Sequence, residues 1–365
     1  MSLTAGIVGL PNVGKSTLFN AITKKQILTA NYPFATIDPN VGIVYVPDER
    51  LAVLEKIYNP QEIIPTTFEF TDIAGLVKGA SLGEGLGNKF LSHIREVDAI
   101  CQVVRCFDDE AVIHVENNVD PIRDIEIINL ELILSDLEVV ENRINKIEKK
   151  AYTTKDKGAL EELALLKKIL SALQKDIPAR MLQYDENERK IIKPFNLLTS
   201  KPIIYIANIK EEEIGNNNMH VQKVIEYGQK EKTEVIVMCA KVESELSELN
   251  DEEKTIFLNE LGINESSMDK LIKATYSLLG LATFFTCGEK EVRAWTFQKG
   301  MTAKECAGII HTDFERGFIR AETISYEDLI KYTTEKEVKE QGKMRLEGKI
   351  YQMQDGDICH FRFNV

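Results

Sequence analysis

The sequence lacks long apolar runs. Of its 365 residues, 44% are hydrophobic and 28% are charged, which is typical of a globular protein. No run reaches the roughly 18 to 20 apolar residues that a bilayer-spanning helix needs. The N-terminal residues also lack the basic start of a signal peptide. We therefore expect a cytoplasmic protein with no membrane partner.

The six cysteines lack any C-x-x-C pair. They are scattered along the chain at Cys101, Cys106, Cys239, Cys287, Cys306 and Cys359. This spacing argues against a metal knuckle or a secreted disulfide framework and indicates reduced thiols. Inert packing and redox sensitivity of one or two thiols both stay open.

Basic residues are outnumbered, because 45 Lys and Arg face 58 Asp and Glu and give a formal net charge of −13. Such a charge, if evenly spread, would repel a polyanion. However, residues 124–200 and residues 281–365 each carry 13 basic and 14 acidic side chains. Most of the acidic excess therefore lies elsewhere, and local basic faces in these two segments are compatible with RNA binding.

Short apolar runs alternate with helical stretches outside those two segments. The runs lie at 3–8, 41–46, 66–71, 99–107, 202–207 and 234–238. This alternation predicts βαβ units and an α/β domain whose mainly parallel sheet carries helices on both faces.

The apolar period changes within residues 124–200. Apolar side chains there step by three and four at Ile133, Leu137, Val140, Ile144, Ile147 and Ala151, and again at Leu163, Leu166, Leu170, Leu173 and Ile177. Two such helices joined by the polar turn 153–158 predict an inserted antiparallel coiled-coil hairpin. Ordinary helices of a larger core would give a similar pattern.

The last part of the chain combines strand-like runs with a helix near 302–311, which predicts a small α+β module with a mixed or antiparallel sheet. The expected plan has three parts. A parallel-sheet domain covers 1–123 and 201–280, a helical insertion covers 124–200, and the C-terminal module covers 281–365.

The segment GLPNVGKS, from Gly9 to Ser16, fits the phosphate-loop pattern G-x-x-x-x-G-K-[ST] between a strand and a helix. Gly9 and Gly14 let the backbone curl so that its N–H groups converge on phosphate oxygens. Lys15 places a charge on the β- and γ-phosphates, and Ser16 offers a hydroxyl to Mg²⁺. The sequence therefore predicts a magnesium-dependent nucleoside triphosphatase.

Further motifs follow in the order of a GTPase domain. Asp72 to Gly75 form D-x-x-G after a predicted strand, where the aspartate orients magnesium and the Gly75 N–H senses the γ-phosphate. Thr36, in the intervening loop, is positioned to add a second hydroxyl to the metal, although a plain turn threonine is the alternative.

The base-recognition motif departs from GTPases, which carry N-K-x-D. Here the residues are Asn208-Ile209-Lys210-Glu211, and Glu211 is one methylene longer than the aspartate that binds guanine. Losing paired guanine contacts should cost orders of magnitude in discrimination. Adenine could be held by Asn208, by Ile209 on its face and by backbone groups, with Ala240 at the end of the next strand. We predict ATP preference or relaxed specificity.

The position that orients the catalytic water is also unusual. Ras-type GTPases place a glutamine directly after D-x-x-G, whereas this chain has Leu76, which cannot hydrogen bond. We expect slow basal hydrolysis that depends on a partner. His114 has an imidazole suited to proton transfer, although a solvated loop histidine is the alternative.

With the glycine-rich stretch Asp72–Ile100, these motifs resemble the YchF/Obg-like ATPase family along essentially the full chain. The resemblance implies a three-part fold ending in a TGS domain, which is ubiquitin-like. It also implies a cytosolic ATPase that binds ATP as well as or better than GTP. Partners would be the ribosome, at its large subunit, and RNA, bound through the coiled coil and the TGS domain.

The resemblance also implies a set of site residues. The phosphates would contact Asn12, Val13, Gly14, Lys15, Ser16 and Thr17. Magnesium would be held by Ser16, Thr36 and Asp72, and Asn12 lies where potassium-activated relatives coordinate K⁺. Ile209 would lie against the base, and His114 matches the loop histidine proposed as catalytic.

The leading hypothesis is an ATP-driven switch in translation or stress response, in which ATP binding orders Thr36 and the loop after Gly75. One alternative is a nucleotide-regulated RNA- or ribosome-binding scaffold with negligible turnover, which Leu76 favours. Another is a GTP-specific GTPase, which Glu211 speaks against.

Overall fold

The computed structural model of the chain describes residues 3–24, 40–73, 86–109, 118–154 and 156–364. These residues divide into two compact units. Unit 1 contains the described residues up to Ile43 and from Glu69 to Leu271. Unit 2 contains Val44–Phe68 together with the described residues from Ile272 onward. The boundaries of the three-part plan stay a prediction.

Strands and helices alternate through most of the described chain. The strands are β1 Thr4–Gly9, β2 Val41–Tyr45, β3 Glu62–Ile64, β4 Thr67–Asp72, β5 Ala99–Arg105, β6 Ile203–Asn208, β7 Val235–Met238, β8 Leu281–Cys287, β9 Glu291–Gln298, β10 Phe318–Ser325, β11 Arg345–Glu347 and β12 Asp357–Phe363. The helices are α1 Lys15–Lys24, α2 Arg50–Tyr58, α3 Leu86–Glu96, α4 Pro121–Thr154, α5 Lys157–Leu173, α6 Glu186–Ile192, α7 Met219–Glu231, α8 Ala240–Leu246, α9 Asp251–Glu260, α10 Ser267–Leu278, α11 Ala303–Ile310, α12 Thr312–Arg316, α13 Tyr326–Tyr332 and α14 Glu335–Glu340.

The first sheet has the strand order β2-β4-β1-β5-β6-β7. The pairs β1–β4, β1–β5, β5–β6 and β6–β7 are all parallel. Every residue of β5 and of β6 is buried, as expected for strands with helices on both faces. The carboxyl ends of these parallel strands meet at one edge, where α/β sheets bind their ligands.

The predicted hairpin is formed by α4 and α5, whose facing apolar residues make a continuous core. The second helix begins at a capping aspartate, since the Asp156 side chain accepts a hydrogen bond from the Ala159 N–H at 2.8 Å. It ends at Leu173, one step before the predicted seam residue Ile177, which is 40% exposed. The cause is a reversal at Asp176, whose φ of 58° is left-handed.

The base of the hairpin is anchored by Asp136 on α4. Its carboxylate accepts hydrogen bonds from the Leu198 N–H at 2.9 Å, the Thr199 N–H at 2.7 Å and the Thr199 hydroxyl at 2.6 Å. Those residues lie just before β6, so the anchor joins the first part of α4 to the end of the insertion. A buried carboxylate with three donors is satisfied, as burial of a polar group requires.

The second sheet belongs to unit 2 and has the order β11-β10-β12-β8-β9-β3. It is mixed, because β12–β8 and β3–β9 are parallel while β8–β9 and β10–β12 are antiparallel. One apolar cluster contains Phe284 and Phe297 with α11, and another contains Leu54 of α2 with Phe285. The sequence did not predict that residues 44–68 contribute a helix and a strand here.

The predicted architecture is confirmed: a parallel-sheet α/β domain, an inserted helical hairpin and a C-terminal α+β sheet. In the parts of the chain that the structure describes, no helix is both long and apolar enough to cross a membrane.

Candidate nucleotide-binding site

The loop between β1 and α1 is shaped by two glycines. A Cβ on Gly9 would lie 2.8 Å from the Val13 side chain and 3.0 Å from the Val103 carbonyl oxygen. Gly14 has φ of +95°, and a Cβ there would lie 2.2 Å from the side-chain nitrogen of Asn208. Both positions therefore require glycine, one for close approach and one for close approach and a left-handed backbone.

The N-terminus of α1 is a ready anion site. The first helical hydrogen bond runs from the Leu18 N–H to the Gly14 carbonyl at 3.0 Å, so the N–H groups of Lys15, Ser16 and Thr17 precede the helical ladder. The first turn holds no acidic residue, and Ser16 and Thr17 are exposed. Free donors together with the positive end of the helix dipole favour a phosphate here.

Lys15 and Asp72 meet at this edge of the sheet. The Lys15 ammonium group forms a hydrogen-bonded ion pair with the Asp72 carboxylate, and the two side chains are 11% and 24% exposed. Asp72 is the last residue of β4, which pairs with β1. The structure thus brings together two predicted residues that are far apart in sequence.

Asn208 supports the loop from the end of β6. Its side-chain amide nitrogen donates to the Val13 carbonyl at 2.8 Å, and its side-chain oxygen accepts from the Ala240 N–H at 3.0 Å. The residue is only 4% exposed. Each polar atom is bonded to the protein, so Asn208 positions the phosphate loop and the start of α8. Its predicted contact with a base stays a prediction.

A cavity of about 470 Å³ opens beside the loop. It gathers seven of the predicted residues from three separate segments: Asn12, Gly14, Thr17, Asn208, Ile209, Glu211 and Ala240. The same cavity is lined by Phe107 and Asp109, which the sequence analysis missed. A mixed apolar and polar pocket at the carboxyl edge of the sheet is a typical small-ligand site.

Arg105 explains how Phe107 and Asp109 reach this cavity. The side chain is 1% exposed, and its guanidinium donates to the Phe107 carbonyl at 3.0 Å and to the Asp109 carbonyl at 3.1 Å. It also lies 4.7 Å from the centre of the Phe107 ring. An arginine at the end of a mostly apolar strand is the sequence signal that could have indicated this loop.

Glu211 lies on the far side of the cavity and is paired with Lys241, whose ammonium group is 3.3 Å from its carboxylate. This hydrogen bond raises the pKa of Lys241. Glu213 fixes the turn, because its carboxylate accepts from the Lys210 N–H at 3.1 Å and from the Asn218 amide at 2.8 Å. The predicted base-recognition segment is therefore held firmly against the cavity.

Thr36, Gly75, Leu76 and His114 lie outside the described residues, so their predicted roles stay predictions. Within the described ranges, no group of three or more His, Cys, Asp or Glu could hold a metal. Ser16 and Asp72 carry hydroxyl and carboxylate oxygens, which are the ligand types that Mg²⁺ prefers.

Comparisons with known proteins agree with this geometry. Residues 4–143 match the family model described as a 50S ribosome-binding GTPase, and residues 281–364 match YchF-GTPase_C, described as a protein of unknown function. The chain is 63% identical over 367 residues to the ribosome-binding ATPase YchF of Bacillus subtilis, covering 100% of both chains. The chain belongs to the YchF family.

Other YchF proteins show the same full-length likeness. The ribosome-binding ATPase YchF of Haemophilus influenzae is 54% identical, with both chains covered completely. The solved structure of the Schizosaccharomyces pombe YchF GTPase superimposes with a TM-score of 0.90 at 44% identity. The match covers 99% of this chain and 98% of that one.

Proposed function

We propose that this YchF protein is a ribosome-associated P-loop NTPase that binds and hydrolyses ATP and acts as a nucleotide-dependent switch. The observation that carries the proposal is the phosphate loop before α1, where Asn208 donates to the Val13 carbonyl and Lys15 pairs with Asp72. Relatives of the same length are named ribosome-binding ATPases. The chain has the parts that this chemistry needs.

The base site supports ATP over GTP. Guanine recognition needs a carboxylate placed to accept two N–H bonds, whereas Glu211 is longer than aspartate and is paired with Lys241. Ile209 and Phe107 line the cavity and offer apolar surface to either purine. Loss of the guanine-specific contact without loss of the apolar ones favours ATP or relaxed specificity.

Magnesium fits the residues of the loop. Ser16 would supply a hydroxyl and Asp72 would orient the ion through water, with Thr36 as the second hydroxyl. When bound, the ion would neutralise charge on the β- and γ-phosphates. Asn12, which has a left-handed φ of 63°, is the position proposed for a potassium ligand.

Lys15 is the residue proposed to stabilise the charge that develops on the transferred phosphoryl group. Its contact with Asp72 places the ammonium group at the carboxyl edge of the sheet. His114 is proposed as the group that assists the attacking water, since Leu76 occupies the position where a glutamine would do so.

The three-part plan completes the proposal. Domain boundaries at 1–123 with 201–280, at 124–200 and at 281–365 would separate a nucleotide domain, a coiled-coil insertion and a TGS domain. The partner surface would be the large ribosomal subunit, which the description of one matching family model names. Contacts to RNA would be made by the last two domains, in the cytoplasm.

The test is ATP turnover and ATP affinity with and without ribosomes. Lys15→Ala should lose at least a hundredfold in ATP affinity or turnover, while Lys24→Ala, at the other end of the same helix, should match the parent. Ribosomes should stimulate the parent. A folded Lys15→Ala protein with parental affinity and turnover would refute the site. Absence of turnover under every condition would favour a scaffold, and turnover of GTP alone would favour a GTPase.

A further inference from the structure

A second cavity lies beside the first half of α4, and residues of unit 1 alone line it. We call it the α4–α7 cavity, because its lining comes from those two helices and from the turn after α5. Its volume is about 400 Å³, within the range of small-molecule pockets. Among the described residues, it shares no lining residue with the nucleotide cavity. A second ligand could therefore bind without displacing the first.

The walls of the α4–α7 cavity are largely apolar. Ile127, Leu130 and Ile133 follow one another at spacings of three residues, so they lie along one face of α4. Ile133 is 2% exposed and Leu130 is 45% exposed, so this face runs from the buried interior to the open mouth. Pro178 and the Tyr227 ring complete the apolar lining. The body of a ligand in this space contacts hydrocarbon and aromatic surface.

Asn129 brings a polar side chain to the lining. The residue is 5% exposed, and its side-chain oxygen accepts a hydrogen bond from Nη2 of Arg180 at 2.9 Å. Its amide nitrogen is buried and has no acceptor among the residues that the structure describes. Asn129 therefore offers a buried donor at the cavity for which this part of the chain supplies no partner.

Arg180, behind Asn129, has the same surplus of donors. Its side chain is 8% exposed, and Nη2 lies 3.3 Å from the Glu231 carboxylate. Its Nε and Nη1 atoms are buried with no acceptor within the described part of the chain. The same Glu231 oxygen also accepts from the Tyr205 hydroxyl at 2.7 Å. Buried donors are nearly always paired in native structures, so the group that fits here is an oxygen acceptor.

The charges around the cavity favour a neutral ligand. Arg180 is paired with Glu231, and Arg123 on the lining lies 3.1 Å from the Asp124 carboxylate. The lining also includes two exposed acidic residues, Glu126 and Asp176. Their carboxylates would repel an anion. A hydroxyl group would bring one more donor to a site that already has too many. A carbonyl oxygen supplies the acceptor without either cost.

We propose that the α4–α7 cavity binds a small neutral molecule with a branched aliphatic body and a carbonyl oxygen. The body lies against Ile127, Leu130 and Ile133, and the carbonyl oxygen accepts a hydrogen bond from the Asn129 amide nitrogen. Arg180 is a positioning residue, because its bond to the Asn129 oxygen turns the amide nitrogen away from itself. The inference goes beyond the proposed function and does not depend on it.

The test is a titration of the full-length, methyl-labelled protein followed by NMR. The probe is methyl isobutyl ketone, which is neutral and only accepts hydrogen bonds. One comparison compound is 1,3-dimethylbutylamine, which has the same carbon skeleton but only donates and is cationic near pH 7. The other is isocaproate, which has a similar body and is an anion. The methyl signals of Ile127 and Ile133, assigned by Ile→Val substitution, report on the cavity.

We expect the ketone to shift the signals of Ile127 and Ile133 and to leave Ile147, in the hairpin core, in place. A dissociation constant on the order of 1 mM suits a ligand of this size. The amine and isocaproate should bind at least tenfold more weakly, the amine because it has no acceptor and isocaproate because of the acidic lining.

Two variants on α4 test the location. Leu130→Trp places a larger ring at the exposed mouth and should weaken ketone binding at least tenfold. Leu134→Trp is the matched control, because Leu134 lies about one turn further along α4, is 39% exposed and is not part of the lining. It should bind the ketone like the parent. ATP turnover should be parental in both variants, since neither position belongs to the nucleotide cavity.

Asn129→Asp tests the hydrogen bond. The substitution keeps the shape of the side chain and the acceptor for Arg180, but it replaces the amide nitrogen by an oxygen. The order of affinities should therefore reverse, so that the amine binds more tightly than the ketone. Parental signals of Ile147 would confirm that the variant remains folded.

Three results would overturn the proposal. The first is no shift at Ile127 and Ile133 up to the solubility limit of the ketone, which would leave the cavity to water. The second is ketone binding that Leu130→Trp does not weaken. The third is equal affinity for ketone and amine in the parent, or an unchanged ketone preference in Asn129→Asp. Loss of ATP turnover or ribosome binding in the parent would refute only the proposed function, because none of these titrations contains nucleotide or ribosomes.

Discussion

The ammonium group of Lys201 donates a hydrogen bond to the carbonyl oxygen of Val97 at 2.6 Å. The same group lies 3.2 Å from the Arg95 carbonyl oxygen and 3.2 Å from the side-chain oxygen of Asn196. Lys201 is 8% exposed, and burial lowers its pKa. This lysine therefore satisfies the carbonyl groups where α3 ends and β5 is about to begin.

The arrangement connects α3, which follows the D-x-x-G segment, with the root of the hairpin. Arg95 on α3 donates to the Ser135 hydroxyl on α4 at 3.0 Å, and the Asn196 amide donates to the Arg95 carbonyl at 3.2 Å. A displacement of α3 would therefore disturb bonds at the hairpin root. This is the physical route by which a nucleotide-dependent change could reach the coiled coil.

Replacing Lys201 by methionine should destabilise the protein. Lys201→Met keeps the apolar stem but leaves the Val97 carbonyl buried without its donor, which costs about 1–3 kcal/mol. Urea unfolding followed by circular dichroism would measure the loss in the free energy of unfolding. Lys193→Met, at an exposed position nearby, should stay within about 0.5 kcal/mol of the parent. Equal stabilities would contradict the bonding described.

Gly14→Ala should abolish tight nucleotide binding while the protein stays folded. The added methyl group would meet the Asn208 nitrogen at 2.2 Å, so either the loop or the Asn208 side chain must move. We expect at least a hundredfold loss of ATP affinity by calorimetric titration. Gly215→Ala is the matched control, because Gly215 also has a positive φ but an added Cβ meets nothing within 4 Å. If both variants lost ATP affinity to a similar extent, backbone strain at positive φ would be the cause and not the clash with Asn208.

Glu211→Asp should raise GTP affinity relative to ATP affinity. The shorter side chain restores the aspartate of the GTPase motif and weakens the 3.3 Å contact with Lys241. A gain in GTP affinity of about tenfold is expected from restored paired contacts, which corresponds to about 1.4 kcal/mol. Titrations with non-hydrolysable ATP and GTP analogues would measure it, with Glu212→Asp as the control. An unchanged preference would mean that backbone groups select the base.

Cys287 and Cys306 should label slowly in the native protein. Burial, with a smaller contribution from Glu335, raises the pKa of Cys287 to about 12, and burial also raises that of Cys306 to about 12. From the ordinary value of 9.0, the thiolate fraction near pH 8 falls about a thousandfold. Labelling should therefore keep rising with pH beyond 9 in native protein and level off near 9 after denaturation. A native plateau near pH 9 would contradict this.

The same pKa shifts also make the stability of the protein depend on pH. Stability should fall with rising pH, whereas the labelling rate should rise. Because the folded-state pKa of each thiol lies above its unfolded value, the folded protein binds more protons between about pH 9 and pH 12. The contribution of these thiols to stability is fully present below pH 9 and is lost as the pH rises toward 12. Urea midpoints measured across that range would record the decline.

Local patterns sufficed for much of the fold. The phosphate loop could be predicted because its motif lies within eight consecutive residues. The buried strands β5 and β6 could be predicted because both faces are covered and their residues are mostly apolar. The hairpin seam was predictable as far as Leu173 since each step follows helical spacing. The left-handed turn at Asp176 broke that spacing without a glycine to mark it.

Long-range pairings could not be read in the same way. Lys241 and Glu211 lie on different segments, and nothing in either segment specifies that their charges meet. Arg105 positions its loop by donating to two backbone carbonyl groups. Because every residue carries a carbonyl group, the sequence does not show which ones Arg105 will bond. The pairing of β3 with β9 depends on a register between two distant strands, Ile63 opposite Val292, which local propensity does not encode.

That pairing sets an order of events during synthesis. Glu291, the first residue of β9, is made 227 residues after Ile64, the last residue of β3. At roughly 5–20 residues per second this gap lasts about 11–45 s. Until then β3 lacks its strand partner β9, and the apolar face of α2 lacks the later part of its cluster. A nascent chain stalled in that interval would expose an unpaired strand edge that can pair with other chains. Chaperone protection should therefore matter most between the synthesis of Ile64 and that of Glu291.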